Sequence, residues 1–259
     1  MKFGLMQGRL MQPEEGHIQE FPSSWEEEFK VLEECDLLGV EWLITSKTRY
    51  ENPIFKDPKL VNSYPILSVC VDTLVDERIV EKDFLHDNLD RLCKVLANEP
   101  GVNNITIPLL EESSMCEEKT RGKFRDLIQE YGDKYPGLNF SFEAELEIQA
   151  LSDIVSLCNN FYVTYDTGNI TSFGINHKEY INHFSGKINN VHLKDRTFDA
   201  NTVAPLTGDT DFETIFSSLA DINYNGSYIL QTARGKTGDE KKTILTHKKI
   251  FQELHDRHF

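Results

Sequence analysis

The feature that most constrains the fold is a regular alternation of short apolar runs with longer segments that are charged and amphipathic. The runs are rich in β-branched and aromatic residues, which is typical of strands, and the segments between them have helical spacing. The eight runs are Phe3 to Met6, Gly39 to Ile44, Ile66 to Val71, Asn104 to Ile107, Leu138 to Phe142, Phe161 to Tyr165, Ile188 to Leu193 and Ser227 to Leu230. Because parallel strands need crossover helices, this alternation predicts a parallel sheet.

Eight strand–helix repeats favour a closed (β/α)₈ barrel, or TIM barrel, whose usual size of about 250 residues suits a chain of 259. A doubly wound open sheet is the alternative, and the lack of a glycine-rich dinucleotide fingerprint after the first run weakens it. No linker rich in proline, glycine or serine divides the sequence. We therefore expect an α/β fold with a single TIM-barrel domain over residues 1–259.

Four of the intervening segments have clear helical periodicity. They are SWEEEFKVLEECDLLG (residues 24–39), DFLHDNLDRLCKVLA (83–97), KTRGKFRDLIQEYGDKY (119–135) and DFETIFSSLADIN (211–223). In the first segment, Gly39 is expected to stop the helix. The acidic run Glu26 to Glu28 follows Ser23 and Ser24, so capping and the helix dipole explain it without a functional role.

Composition limits the partners of the protein. The formal net charge of −16 disfavours phosphate backbones and anionic lipid headgroups, so we expect neither nucleic-acid nor membrane binding. The N-terminal residues lack the apolar core of a secretory signal, and no stretch is long enough to span a bilayer. The five cysteines are widely spaced and form no C-x-x-C pair, so we expect five small buried side chains in a reduced, cytoplasmic protein.

Polar residues stand at the ends of the four later runs, and in a barrel these ends converge on one mouth. They are Glu143 and Glu145 after the fifth run, Asp166 after the sixth, His192 in the seventh and Gln231 after the eighth. A buried carboxylate needs compensation for lost hydration, and a cation is the usual means. This mixture of oxygen and nitrogen donors suits Mn²⁺, Co²⁺, Mg²⁺ or Zn²⁺. Loop capping or ordinary hydrogen bonding within the barrel is the alternative for Asp166 and His192.

Five short motifs occur in order at the expected strand ends: FGLMQGRL, FEAE, YDTGN, VHLKD followed by PLTGDTDF, and YNGSYILQTAR. Together they resemble the sugar phosphate isomerase/epimerase family, the xylose-isomerase-like barrels, and the resemblance covers nearly the whole chain. In that family, residues at the ends of strands five to eight bind one divalent metal ion. The resemblance therefore implies metal ligation by Glu143, Asp166, His192 and Gln231, with Glu143 or Glu145 as the catalytic carboxylate.

The chain departs from the family pattern at two positions. Asn169 stands where many relatives have a histidine that contacts the substrate, and Gln231 stands where a carboxylate commonly serves as both metal ligand and acid/base. An amide oxygen can bind a metal ion, but it cannot take a proton from carbon at neutral pH. If the protein transfers protons, the principal base must then be a carboxylate on the fifth strand, and Glu143 is the first choice.

Further polar residues near the predicted mouth are candidates for substrate binding. They are Gln7, Arg9, Glu41, Asn169, Lys194, Arg196 and Arg234. The cationic members suggest a local anion pocket for a phosphate or carboxylate group. The alternatives are a salt bridge near the N-terminus for Arg9 and solvated loop charges for the other cations.

The leading functional hypothesis is a metal-dependent isomerase or epimerase of a small sugar or sugar phosphate, acting by enediolate-type proton transfer. The alternative is a barrel that binds sugar or metal without turnover, or with altered chemistry, because the strand-eight acid is Gln231. The apurinic-endonuclease branch of the fold is disfavoured, since its additional ligands have no match here and the acidic charge opposes DNA. Assembly as a homo-oligomer stays open.

Overall fold

The computed structural model describes residues 1–14, 16–99 and 101–259. Its strands are β1 (Phe3–Met6), β2 (Val40–Leu43), β3 (Ile66–Cys70), β4 (Asn104–Leu109), β5 (Asn139–Ala144), β6 (Phe161–Asp166), β7 (Ile188–Leu193), β8 (Asp195–Arg196), β9 (Thr202–Val203) and β10 (Ser227–Leu230). Strands β1 to β7 and β10 form a closed barrel in chain order, with β10 next to β1, and β8 and β9 form a separate antiparallel ribbon. Each predicted run overlaps one barrel strand, so the predicted (β/α)₈ barrel is confirmed.

Helices connect the barrel strands. They are α1 (Trp25–Glu34), α2 (Pro53–Lys56), α3 (Leu60–Ser63), α4 (Lys82–Leu85), α5 (Arg91–Asn98), α6 (Glu118–Lys134), α7 (Ile148–Val155), α8 (Thr167–Phe173), α9 (His177–His183), α10 (Phe212–Asp221) and α11 (Glu240–His258). A π-helical turn, His86–Asp90, joins α4 to α5, and 3₁₀ turns cover Asp72–Val75 and Glu111–Ser113. No helix in the described part of the chain is both long and apolar enough to cross a bilayer.

Packing is densest within two compact units, one made of Met1–Glu41 and Tyr165–Phe259 and the other of Trp42–Thr164. In the first unit, β10 pairs in parallel with β1 and with β7, and Leu230 lies opposite both Leu5 and Leu193. The ring of Phe216 on α10 stacks on that of Tyr228 at 6.0 Å between centroids. The carboxyl ends of β7 and β10 therefore lie side by side, backed by an aromatic layer.

In the second unit, β4 and β5 pair over six residues, from Asn104 opposite Asn139 to Leu109 opposite Ala144. The ring of Phe142 on β5 meets Phe161 edge-on at 5.2 Å and Phe124 edge-on at 5.9 Å. Edge-to-face aromatic pairs of this kind favour one arrangement of the rings. These aromatic contacts therefore support β5 next to Glu143.

Helix α1 is shorter than the sequence pattern predicts. It ends at Glu34 rather than at Gly39, because Asp36 adopts a left-handed conformation with φ of 52° and breaks the helix. The N–H of Leu38 then donates to the carbonyl of Phe3 at 2.8 Å, so this residue already belongs to the approach to β2. Leu38 is consequently half-exposed rather than buried against the helix face.

The expectation that all five cysteines are buried is correct for only three of them. Cys35, Cys70 and Cys93 are buried, whereas Cys116 is exposed and Cys158 is intermediate. Cys116 lies in the loop between the second 3₁₀ turn and α6 and is exposed there. Spacing along the sequence does not distinguish such a loop position from a core position.

Candidate functional site

Asp166 is the last residue of β6 and the N-cap of α8, and its two carboxylate oxygens have different surroundings. Oδ1 accepts a hydrogen bond from the backbone N–H of Asn169 at 2.8 Å, which caps the helix. Oδ2 lies 3.8 Å from Nδ1 of His192. Asp166 therefore caps α8, which was one of the roles considered from the sequence. The cap uses only Oδ1, and Oδ2 faces His192.

His192 is fully buried near the end of β7 and is held from behind by Glu41 of β2. Its Nε2 lies 3.1 Å and 3.2 Å from the two carboxylate oxygens of Glu41. The Nδ2 group of Asn190 donates to Oε2 of Glu41 at 2.6 Å. A carboxylate in this position holds the proton on Nε2, so that the lone pair of Nδ1 faces Asp166. A carboxylate–histidine pair of this kind is the usual support for a metal-binding imidazole.

Lys194 follows His192 by two residues and is also buried. Its Nζ lies 2.8 Å from Oδ2 of Asp166 and donates to Oδ1 of Asn169 at 3.3 Å. Burial opposes ionisation of Asp166, but the charge of the adjacent Lys194 outweighs that effect and lowers the pKa of Asp166 well below the usual range. Asp166 is therefore a carboxylate at neutral pH, as a cation ligand must be.

Two residues of the YDTGN motif, Thr167 and Gly168, allow the end of β6 to lie close to Lys194. Gly168 is required beside Lys194, because a Cβ there would lie 3.0 Å from the Lys194 side chain and 3.0 Å from that of Arg196. The hydroxyl of Thr167 donates to the carbonyl of Lys194 at 2.6 Å and accepts from its N–H at 2.9 Å. The YDTGN and VHLKD motifs thus lock the ends of β6 and β7 together within the first unit.

Gln231 follows β10 directly and is only 6% exposed. Its Nε2 donates to Oε1 of Gln19 at 3.1 Å. Its Oε1 is buried and has no hydrogen-bond partner among the described residues. An amide oxygen buried without a partner costs about 1–3 kcal/mol, so such an atom is well suited to bind a cation. An amide oxygen, a carboxylate and an imidazole nitrogen are all donor types that divalent ions accept.

Gln7 and Arg9 lie in a loop directly after β1, and both are buried. The N–H of Gln7 donates to the carbonyl of Glu41 at 3.1 Å, and a guanidinium nitrogen of Arg9 donates to the carbonyl of Ile18. This nitrogen of Arg9 therefore binds the backbone of the loop, and the salt bridge considered for Arg9 stays a prediction. We call residues 7–14 and 16–23 the N-terminal loop.

Glu28 supports the N-terminal loop, and the sequence analysis missed it. Both of its oxygens accept from the N–H of Gly8, at 2.8 and 2.9 Å, and Oε1 also accepts from the N–H of Leu10 at 3.2 Å. Burial raises the pKa of Glu28 to about 7, although these hydrogen bonds and the charges of Arg234 and Arg9 lower it. The explanation of Glu26 to Glu28 by capping alone is therefore wrong for Glu28, and the Ser24 side chain makes no capping hydrogen bond.

The remaining cations are engaged with protein groups. Arg234 donates to the carbonyls of Ile18, Met11 and Gly8 at 2.9, 2.9 and 3.0 Å. Arg196 donates to the hydroxyl of Ser172 on α8 at 3.3 Å. These contacts give Arg234 a role in holding the N-terminal loop, and the anion pocket stays a prediction.

The fifth strand ends in the second unit with Glu143 opposite Pro108 of β4. Glu143 is 4% exposed, whereas Glu145 lies beyond the strand and is partly exposed.

Of the residues that the sequence analysis missed, Asn190 could have been found from the sequence, since it lies two positions before His192 and alternate strand residues share a face. Gln19 had none, because it reaches Gln231 through an irregular loop.

Comparison with solved structures identifies proteins of the same fold. An IolI protein with a bound zinc atom matches with a TM-score of 0.76 and 15% identity, over 100% of this chain and 99% of that one. A D-tagatose 3-epimerase-like protein matches with a TM-score of 0.75 and 16% identity, over 99% and 97% of the two chains. D-Psicose 3-epimerase with D-tagatose, from Clostridium cellulolyticum H10, matches with a TM-score of 0.70 and 15% identity, over 98% and 99%. No protein-family model and no curated protein sequence matches the chain.

Proposed function

We propose that this chain, which has the fold of sugar isomerases and epimerases, is a divalent-metal-dependent isomerase or epimerase of a small sugar or sugar phosphate. The observation that carries the proposal is the buried pair of Asp166 and His192, with the carboxylate of Glu41 behind the imidazole. A buried carboxylate facing an imidazole nitrogen that is fixed from its far side is what a metal site needs. Packing of the protein core would not require a buried carboxylate or a buried imidazole at these two positions.

The proposed ligands are Glu143, Asp166 and His192, three buried side chains that each offer one ligand atom. Gln231 is the proposed weak fourth ligand, through its amide oxygen. This donor set suits Mn²⁺, Co²⁺, Mg²⁺ or Zn²⁺. The zinc atom reported for the IolI protein supports a divalent ion in this fold. With only two negative ligands the site is less charged than one with a third carboxylate, so we expect moderate affinity.

Proton transfer at a carbon next to a carbonyl is the proposed reaction. Lewis-acid polarisation of a sugar carbonyl and its neighbouring hydroxyl is the chemistry that a divalent ion supplies in such a site. Glu143 acts as the base that removes the proton, and Glu145 is the second candidate on the same strand. Gln231 takes no part in proton transfer, because an amide does not accept a proton at neutral pH.

Substrate contacts are assigned to polar groups around these ligands. The proposed residues are Gln7, Arg9, Asn169, Lys194, Arg196 and Arg234. Lys194 and Asn169 are the strongest candidates of these, since their polar groups already meet beside Asp166. Glu41 is proposed to orient His192 rather than to bind substrate, because both of its oxygens face Nε2.

The experiment is solvent deuterium exchange at the substrate carbon, with Mn²⁺ present and a panel of ketoses and ketose phosphates. We expect the wild type to exchange with at least one sugar, Glu143→Gln to abolish exchange, and Glu145→Gln, the matched control, to retain much of it. Loss in the Glu145 variant alone would reverse the assignment of the base. No exchange with any sugar would contradict the proton-transfer proposal.

The second candidate function is a barrel that binds sugar or metal without turnover. It is favoured by one observation, namely that the residue after β10 is Gln231, where a second acid/base would be expected. In that case Mn²⁺ and a sugar would bind with no exchange and no product. Calorimetry on the samples used for exchange separates binding without turnover from the absence of binding.

A further inference from the structure

The side-chain amide of Gln231 has two chemically opposite ends, and the structure gives them different environments. Nε2 donates to Oε1 of Gln19 at 3.1 Å, while Oε1 is buried with no hydrogen-bond partner among the residues described. Rotation by 180° about the last side-chain bond would exchange the two ends. Only with Nε2 on Gln19 does the amide oxygen remain available to a cation, because the NH₂ group carries two donors and no acceptor.

Gln19 selects this orientation because its contacting atom is an acceptor. Oε1 of Gln19 can receive a hydrogen bond from Nε2 of Gln231 but would repel Oε1 of Gln231. The preceding residue is held from two sides, since the carbonyl of Ile18 accepts from Arg9 and from Nε of Arg234. The backbone next to Gln19 is therefore held in place by two arginines.

The backbone around Gly8 strengthens that support. Gly8 has φ of 88°, and a Cβ on it would lie 2.3 Å from the carbonyl oxygen of Glu20. The N–H of Gly8 is bound by Glu28, and its carbonyl accepts from Arg234 at 3.0 Å. Residues on both sides of Gln19 thus pack against the end of β1, and the loop has little freedom to withdraw the side chain.

We propose that Gln19 is a positioning residue that holds the amide of Gln231 with its oxygen toward the bound cation and so sets the affinity of the site. This inference rests on the proposed metal site and adds to it a residue from the N-terminal loop. Gln19 does not itself touch the ion. Its effect is specific to an amide, because a carboxylate presents an oxygen in either orientation.

The test is calorimetric titration of the full chain with Mn²⁺, and separately with Zn²⁺, as the free ions. Gln19→Met keeps the length of the side chain but removes the acceptor, so affinity should fall roughly three- to tenfold, the value of one neutral hydrogen bond. Gln19→Glu keeps an acceptor at the same place and should bind at least as tightly as the wild type. Thermal unfolding of each variant establishes that it is folded.

The decisive control repeats Gln19→Met in a Gln231→Glu background. Here the substitution should change affinity by less than about twofold, the spread expected of independent sites. An equal loss in both backgrounds would show a general loosening of the loop and overturn the inference. No loss in the Gln231 background would overturn it as well, while leaving the metal site intact. Absence of binding in the wild type and in Gln231→Glu alike would overturn the metal site itself, and the inference with it.

Discussion

At the scale of single residues, the pairing of Glu41 with His192 is the most consequential contact in the first unit. Both side chains are fully buried, and they lie 151 positions apart in sequence. A carboxylate that fixes an imidazole raises its basicity and removes the entropic cost of orienting it when a metal binds. The contact joins β2 to β7, so it contributes to the fold as well as to the site.

Replacing Glu41 by Gln should weaken Mn²⁺ or Zn²⁺ binding about 10- to 100-fold, because the amide keeps the shape of the side chain but loses the charge that orients His192. Titration calorimetry measures the change. Glu145→Gln is the control for loss of one carboxylate, and it should alter affinity far less. Equal affinities for wild type and Glu41→Gln would mean that His192 is not a ligand through Nδ1.

At the scale of elements, the N-terminal loop depends on one ionisable residue. The pKa of Glu28 is raised by burial from 4.5 to about 7, so the folded protein holds a proton there between these pH values and the unfolded chain does not. The contribution of Glu28 to the free energy of unfolding must then fall as pH rises from about 4.5 to 7 and level off above that. Glu28 therefore stabilises the fold most in mildly acidic solution.

The measurement is urea unfolding between pH 4 and 8 of the wild type and Glu28→Gln. The stability of the wild type relative to the variant should decrease by about 3 kcal/mol over this range, because the pKa of Glu28 is 4.5 in the unfolded chain and about 7 in the folded protein. A matched control is Glu27→Gln on the exposed side of α1. A difference between wild type and Glu28→Gln that stays constant with pH would contradict the assignment.

A second ionisable residue couples two helices of the other unit. Asp90 ends the π-helical turn before α5, and its carboxylate accepts from Nζ of Lys134 at 2.6 Å and from the Tyr135 hydroxyl at 2.7 Å, at the end of α6. Burial opposes its ionisation, but these hydrogen bonds and one from Lys94 prevail and lower its pKa below the usual range. The stabilisation is present above the ordinary aspartate pKa of about 4 and is lost as the pH falls below it.

Asp90→Asn should lower the free energy of unfolding at pH 7 by about 2 kcal/mol, because the buried acceptor loses its charge. The loss is limited because the two lysines are partly exposed and become hydrated once the ion pairs are broken. Asp87→Asn, three positions earlier and 64% exposed, serves as the control and should be nearly neutral. Chemical unfolding at pH 7 and at pH 3 tests both points. The gap between the two variants should narrow from pH 7 to pH 3, because the stabilisation by Asp90 begins to fall below the pKa of the unfolded chain, and an unchanged gap would exclude a charge effect.

At the scale of the whole molecule, a ligand that binds only the folded state adds to global stability. Mn²⁺ at 100 times its dissociation constant should contribute about 2.7 kcal/mol, which raises the Tm of a protein of this size by roughly 5–10 °C. Differential scanning with and without Mn²⁺ measures this shift, and EDTA should reverse it. An Asp166→Ala, His192→Ala double variant should show no shift, and an unchanged shift there would place the ion elsewhere.

The barrel could be predicted because each of its eight strands is a short apolar run and four of the segments between them have clear helical periodicity. It failed at the end of α1, where the left-handed conformation of Asp36, a residue without the usual glycine signal, decides the boundary. Asp166 and His192 could be singled out from motifs at strand ends. Glu28 and Gln19 could not, because their partners come from an irregular loop whose path no local pattern encodes.

The supports of His192 and Gln231 come from different parts of the chain. Glu41 and Asn190 hold the imidazole, whereas Gln19 meets the amide that follows β10. We therefore expect mutation at position 231 to change the charge of the proposed site without moving the histidine. In evolutionary terms, separate supports of this kind would let a lineage exchange an acid and an amide at position 231 by a single substitution while the imidazole keeps its place.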